Sequence, residues 1–174
     1  MTSKSTEAHI QKRVREGALV LFEPILAPGE SYCRRLWLQR GVADWVETQG
    51  IGKEERFFDD VRAFLKSFVT GEDFDDDVKL KRLNTRTGGW YEFRITFNPQ
   101  ARLFGGFLRS GEFVVVLQQD RRSLGRTSFA PAIQRAERIW KGLFPNHLPL
   151  TDRRQFLLKD FFDGEQDNTH RRRR

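Results

Sequence analysis

Three apolar runs, residues 90–97, 102–107 and 113–119, follow one another with too little chain between them to cross over a sheet. Asn98, Pro99 and Gln100 separate the first pair, and Ser110-Gly111 sits between the second pair as a two-residue hairpin turn. A parallel connection needs a dozen residues or more, so these runs can pair only as an antiparallel meander. In the first run Tyr91, Phe93, Ile95 and Phe97 share one face, and Trp90, Glu92, Arg94 and Thr96 share the other. That alternation is the period-two pattern of a half-buried strand.

The same stretch holds the charge excess of the chain. Residues 79–126 contain ten Lys and Arg against three acids, a net +7, while the rest of the chain carries 21 basic and 21 acidic groups. A basic sheet flanked by neutral segments offers a concentrated positive field to a polyanion such as RNA or DNA, or serves as a solubilising surface.

Around the meander the sequence reads as helical. Phe57, Val61, Phe64, Leu65 and Phe68 recur at helical spacing and place a helix over residues 53–69, ending at Gly71. A shorter helix starts at Val42 after a first strand around Leu36, Trp37 and Leu38. Pro131, with Ser128 as its cap, opens a helix whose apolar face is Ile133, Ala136, Ile139, Trp140 and Leu143. A last amphipathic helix is expected over residues 151–162, before a polar tail that ends in His170 and four arginines. Residues 72–77, five of six acidic, read as a solvated loop or as negative charge folded back on the basic sheet. Residues 1–30 read as an N-terminal arm with one docked strand or turn, residues 31–144 as the main domain, and residues 145–174 as a C-terminal extension.

Cys33 is the single cysteine, which excludes an internal disulfide and a multi-cysteine zinc site and fits a reducing cytosol. No run of signal-peptide type follows the charged N-terminus and none approaches the roughly 20 apolar residues that span a bilayer. A soluble, cytoplasmic protein with no membrane partner is expected.

Helices, an arginine-rich antiparallel meander and a closing helix come in an order that resembles the RelE/ParE toxin superfamily, and its HigB-like branch most of all. The resemblance rests on Lys81-Arg82-Leu83, on the strand from Gly89-Trp90 through Tyr91-Glu92-Phe93-Arg94-Ile95, on Arg102-Leu103-Phe104-Gly105, on residues 113–117, on Arg121-Arg122 and on Pro131-Ala132-Ile133 with Ala136. It covers about residues 32–144. It implies an α+β fold, with N-terminal helices on a small, mainly antiparallel sheet and a closing C-terminal helix. It also implies a toxin of a type II toxin–antitoxin pair, held by a cognate antitoxin. Many members are ribosome-dependent endoribonucleases that cut mRNA with basic side chains on the sheet; the ParE-like members poison DNA gyrase and cut no RNA, and a third possibility is a non-toxic nucleic-acid-binding or phage-related protein of the same fold. Where the family has a lysine pair this chain has Asp120-Arg121-Arg122, and where some RNase members have a tyrosine it has Ser128 and Phe129.

RNA cleavage by a 2′-hydroxyl needs a base, an acid for the leaving oxygen, and cations for the charge that builds on the phosphoryl oxygens. Arg94 and Arg102 suit the cation role, being planar, permanently charged and able to bind phosphate bidentately. Arg122 and Arg126 are placed to reach the same groove. No histidine lies between His9 and His147, so Glu92 is left as the candidate base, or as an ion-pair partner for an adjacent arginine. Tyr91 falls on the core face. The catalytic candidates are therefore Arg94, Arg102, Glu92 and Arg122. The nucleic-acid contacts are Lys81, Arg82, Arg109, Arg121, Arg126 and Trp90, the last as a stacking platform or as a lid on the core. No metal or cofactor is expected.

Overall fold

The computed structural model describes residues 3–49, 52–124 and 129–161. In chain order it contains α1 (Ser3–Arg15), β1 (Leu19–Leu21), β2 (Arg35–Gln39), α2 (Arg40–Val46), α3 (Lys53–Val69), β3 (Leu80–Arg82), β4 (Trp90–Ile95), β5 (Ala101–Arg109), β6 (Glu112–Asp120), a 3₁₀ turn (Arg121–Leu124), α4 (Ala130–Leu143) and α5 (Arg154–Leu157). The fold is α+β. Its single sheet has the order β1-β2-β6-β5-β4-β3, with β2 parallel to β6 and every other pairing antiparallel.

The meander forms as its short connections require. Arg109 pairs with Glu112 across the Ser110-Gly111 turn. Gly111 is the residue that permits the turn, because its φ is +69° and a Cβ there would lie 2.5 Å from the backbone nitrogen of Phe161. Helix α3 occupies the span that its apolar spacing marks, and Phe57, Val61, Leu65 and Phe68 are buried on it.

Two apolar layers enclose the sheet. Helices α2 and α3 cover one face, packing Val42, Val46, Val61, Leu65 and Phe68 on Leu36, Leu38, Phe93, Phe107 and Phe113. Helices α1 and α4 cover the other, packing Ile10, Ala136, Trp140 and Phe144 with Trp37, Trp90, Phe104, Val114 and Val116. Consequently β5 is buried at eight consecutive positions, Ala101 through Leu108, as a strand covered on both sides must be. This corrects the half-buried reading of β4. Trp90 and Glu92, on the face opposite Tyr91 and Phe93, are buried as well, because the layer that α4 completes packs over Trp90 while the sheet's cationic end closes around Glu92.

Residues 3–21 supply a helix and an edge strand. Helix α1, which the weak apolar pattern does not announce, is fastened by Arg13, whose guanidinium donates to the carbonyls of Leu143 and Gly142 at 2.9 Å each. A cation there satisfies the orphan carbonyls at the end of α4 and complements its dipole. The last described segment is mostly irregular, with α5 only four residues long rather than a helix over 151–162. It is tied by backbone bonds from Leu150 to Phe107, from Gly111 to Leu157 and from Phe161 to Cys33. Buried Arg34 adds bonds to the carbonyls of Leu158 and Glu72. The acidic loop is answered from this segment by Arg154, which bonds Asp75 and Asp77 at 2.7 Å each, and from its own end by Lys79, which faces Glu72 at 3.6 Å. Ser128, expected to cap α4, lies outside the described residues, and Phe129 stands at the N-cap with no side-chain bond. Among the described residues no helix is long and apolar enough to cross a membrane.

Candidate nucleic-acid interface

Register decides which of the basic side chains meet. Across β4 and β5 Arg94 is paired directly with Arg102, and across β3 and β4 Lys81 is paired directly with Glu92. Cross-strand partners project to the same face, so Lys81, Glu92, Arg94 and Arg102 converge at one end of the sheet. The backbone of Arg121 bonds Gln100 at 2.9 Å, which brings the 3₁₀ turn beside the start of β5, and the Arg121 guanidinium lies 5.3 Å from the ring centre of Phe129. Four cations thus surround one carboxylate.

Glu92 is 2% exposed and Arg102 is 4% exposed. The Glu92 oxygens stand 3.8 Å from Nε of Arg94 and 3.7 Å from Nε of Arg102. These are ion-pair distances and too long for hydrogen bonds. Oε2 of Glu92 and both Nε atoms have no hydrogen-bond partner. Arg102 instead donates from Nη1 to the carbonyls of Ile95 and Ala101, and Arg94 donates to the carbonyl of Asp77 at 2.7 Å. Burial pushes the Glu92 carboxyl above the usual carboxylate range, against the opposing pull of Arg102, Arg94, Lys81 and Arg121. Burial likewise lowers the Arg102 guanidinium from its ordinary value, offset by Glu92. Both shifts have one cause: each ion loses more water than its partner replaces.

Lys81 is exposed, and Arg94 and Arg121 are partly so; Arg122, a catalytic candidate, is exposed on the 3₁₀ turn after Arg121, and none of the described contacts joins it to the cluster. The accessible surface of the cluster is therefore cationic, with Glu92 and Arg102 beneath it. Gln119, the cross-strand partner of Arg102, leads from the cluster into a depression of about 280 Å³ that Ser123, Arg135 and Arg138 also line. Arg135 and Arg138 are exposed on α4. Sequence reading did not single them out, although their spacing of three places them together on a helix whose apolar positions are Ala132, Ala136 and Trp140.

Other expected contacts lie apart. Arg82 pairs with Tyr91 and so projects to the opposite face, where it bonds the carbonyl of Thr151 at 3.1 Å. Arg109 is at the far end of β5, roughly 23 Å from Arg102 at the usual rise per residue, and is held by Glu112 at 2.7 Å and Glu7 at 2.6 Å. Trp90 is a core residue: it packs edge-on against Trp140 with ring centres 5.6 Å apart, and its indole donates to Thr87. No base can stack on a ring that is 2% exposed. The basic positions of residues 79–126 therefore do not share one face, because β3 and β4 send successive residues to opposite sides of the sheet. Arg126 and residues 170–174 lie outside the described residues.

Compared with models of protein families, with curated proteins and with solved structures, the chain finds no match in any of the three.

Proposed function

We propose that this protein is a toxin of the RelE/ParE type that engages single-stranded mRNA on the ribosome through the cationic end of its sheet, with a cognate antitoxin as its partner. The observation that carries this reading is the convergence of Lys81, Arg94, Arg102 and Arg121 about Glu92, extended by Gln119, Arg135 and Arg138. Lys81, Arg94 and Arg121 offer accessible cations above the buried Arg102, a row that suits a phosphodiester backbone laid across it, and arginines can hold its phosphates bidentately. The element order is consistent with this reading: a helical pair, an arginine-bearing antiparallel meander and a closing helix follow one another in α2 to α4.

One observation favours a second reading. Glu92, the carboxylate that stands between Arg94 and Arg102, has its unpaired oxygen buried, so the candidate base is closed off from a substrate proton. On that reading the same surface blocks a partner, DNA gyrase in the ParE-like manner, and cuts nothing. Induced expression with primer extension on cellular transcripts separates the two. Growth arrest with discrete transcript ends supports the endoribonuclease. Growth arrest with intact transcripts and accumulated gyrase–DNA cleavage complexes supports the poison, and no effect on growth sinks both.

A further inference from the structure

We propose that Glu92 is the resident counter-anion of the cationic cluster, and that an anion bound over Lys81, Arg94 and Arg121 is accompanied by uptake of one proton from solvent on the Glu92 carboxyl. This rests on the assignment of the cluster as the binding surface. It does not depend on whether RNA is the physiological anion.

The groups facing Glu92 come from every neighbouring element: Lys81 on β3, Arg94 on its own strand, Arg102 on β5 and Arg121 on the 3₁₀ turn. With no anion bound, the carboxylate is the charge that keeps Arg94 and Arg102, direct neighbours of like sign, in one site. It does so imperfectly, since the Nε atoms and Oε2 remain without hydrogen bonds at 3.7 and 3.8 Å. A phosphate or sulfate oxygen arriving at Lys81 and the partly exposed Arg94 and Arg121 competes for the same positive charge and repels the carboxylate beneath them. Glu92 is 2% exposed inside β4, with β3 and β5 on either side, so it cannot swing into water. Protonation is the response left to it.

Linkage gives the direction. Where Glu92 is ionised before binding, each anion takes up a proton and affinity falls as pH rises, by up to about tenfold per pH unit. Where Glu92 is already protonated, affinity is independent of pH.

The test is isothermal titration calorimetry on the full chain, in buffers of matched ionic strength and different ionisation enthalpy, from mildly acidic to mildly basic pH. The probes are sulfate, which does not itself titrate there, and an oligouridylate without terminal phosphate. The expected result is uptake of about one proton per sulfate in the wild type and none in Glu92→Gln, whose affinity stays flat with pH. Binding without proton uptake at every pH of the range overturns the proposal, as does uptake that persists in Glu92→Gln, and so does failure of sulfate to bind. Should Glu92→Gln not fold, the infrared band of a protonated carboxyl in the wild type must grow on adding sulfate, and its constancy has the same overturning force. Sulfate binding with proton uptake while the oligouridylate fails to bind leaves this inference standing and removes the RNA reading.

Discussion

Arg94 and Arg102 are direct cross-strand partners on β4 and β5, two like charges at a position where opposite charges stabilise a sheet. Glu92, next to Arg94 on the same face, reaches both, at 3.8 and 3.7 Å. The arrangement lowers local stability and concentrates positive charge, a combination expected where a site is kept for binding.

Glu92→Ala removes the acid and leaves Arg102 buried without a counter-charge. A loss of about 3–5 kcal/mol is expected, as for other broken buried pairs. Replacing Glu92 and Arg102 together by Leu and Met is expected to be neutral or stabilising, because neither ion recovers its lost hydration at the observed distances. Chemical denaturation of the two variants checks the contrast, and equal losses in both would contradict it.

The raised carboxyl of Glu92 sets a pH dependence of opposite sign to that of an ordinary salt-bridged acid. The folded state holds a proton that the unfolded state has released, so stability falls as pH rises from the usual carboxylate range through the Glu92 value. Glu7 acts the other way. Hydrogen bonds from Gln11 and Arg109 hold its carboxyl low, so its contribution is present above the unfolded value and is lost as pH falls through the folded one. Melting temperature against pH for wild type and Glu92→Gln is expected to differ by the first slope and to share the second.

Glu112 is fully buried and accepts hydrogen bonds from the Trp37 indole at 3.0 Å and from Arg109 at 2.7 Å. Glu112→Ala strands the Trp37 indole and leaves Arg109 with Glu7, at an expected cost of about 1–3 kcal/mol, and Glu112→Gln should cost less because it still accepts from Trp37. This network serves the fold. Arg109→Gln should leave the salt dependence of RNA binding unchanged, and a flattened slope in that variant would relocate the interface.

For the binding surface itself, Lys81→Gln with Arg94→Gln is expected to flatten log affinity against log salt by roughly one to two units, at about 0.7 per phosphate contact with a single strand. Arg135→Gln with Arg138→Gln is expected to flatten it further if the strand runs on over α4. An unchanged slope in all four substitutions together would place binding outside the described surface.

Much of the architecture was legible in the sequence because it is governed by local rules. Two short connections forced an antiparallel meander, and the spacing of Phe57, Val61, Leu65 and Phe68 placed α3 over Lys53–Val69. The concentration of basic residues in the strands was likewise plain. Register across Asn98-Pro99 was not: a turn of residues 98–100 alone would set Arg94 opposite Phe104, whereas β4 ends at Ile95 and pairs it with Ala101, which brings Arg94 opposite Arg102.

What covers a face is not written in the period of a strand. Alternation shows that Trp90 and Glu92 lie opposite Tyr91 and Phe93, but only the docking of α1 and α4 makes that side a second core and buries Trp90 against Trp140. The parallel pairing of β2 with β6 joins residues more than 70 positions apart, and Arg109 finds Glu7 from 102 positions away. Side chains alone determined how much positive charge the meander holds. Packing decided which of it reaches solvent, because burial and charge compensation depend on elements distant in the chain: Arg94 and Lys81 remain accessible, Arg102 is closed in beside Glu92, and Arg109 is tied off at the other end of the sheet.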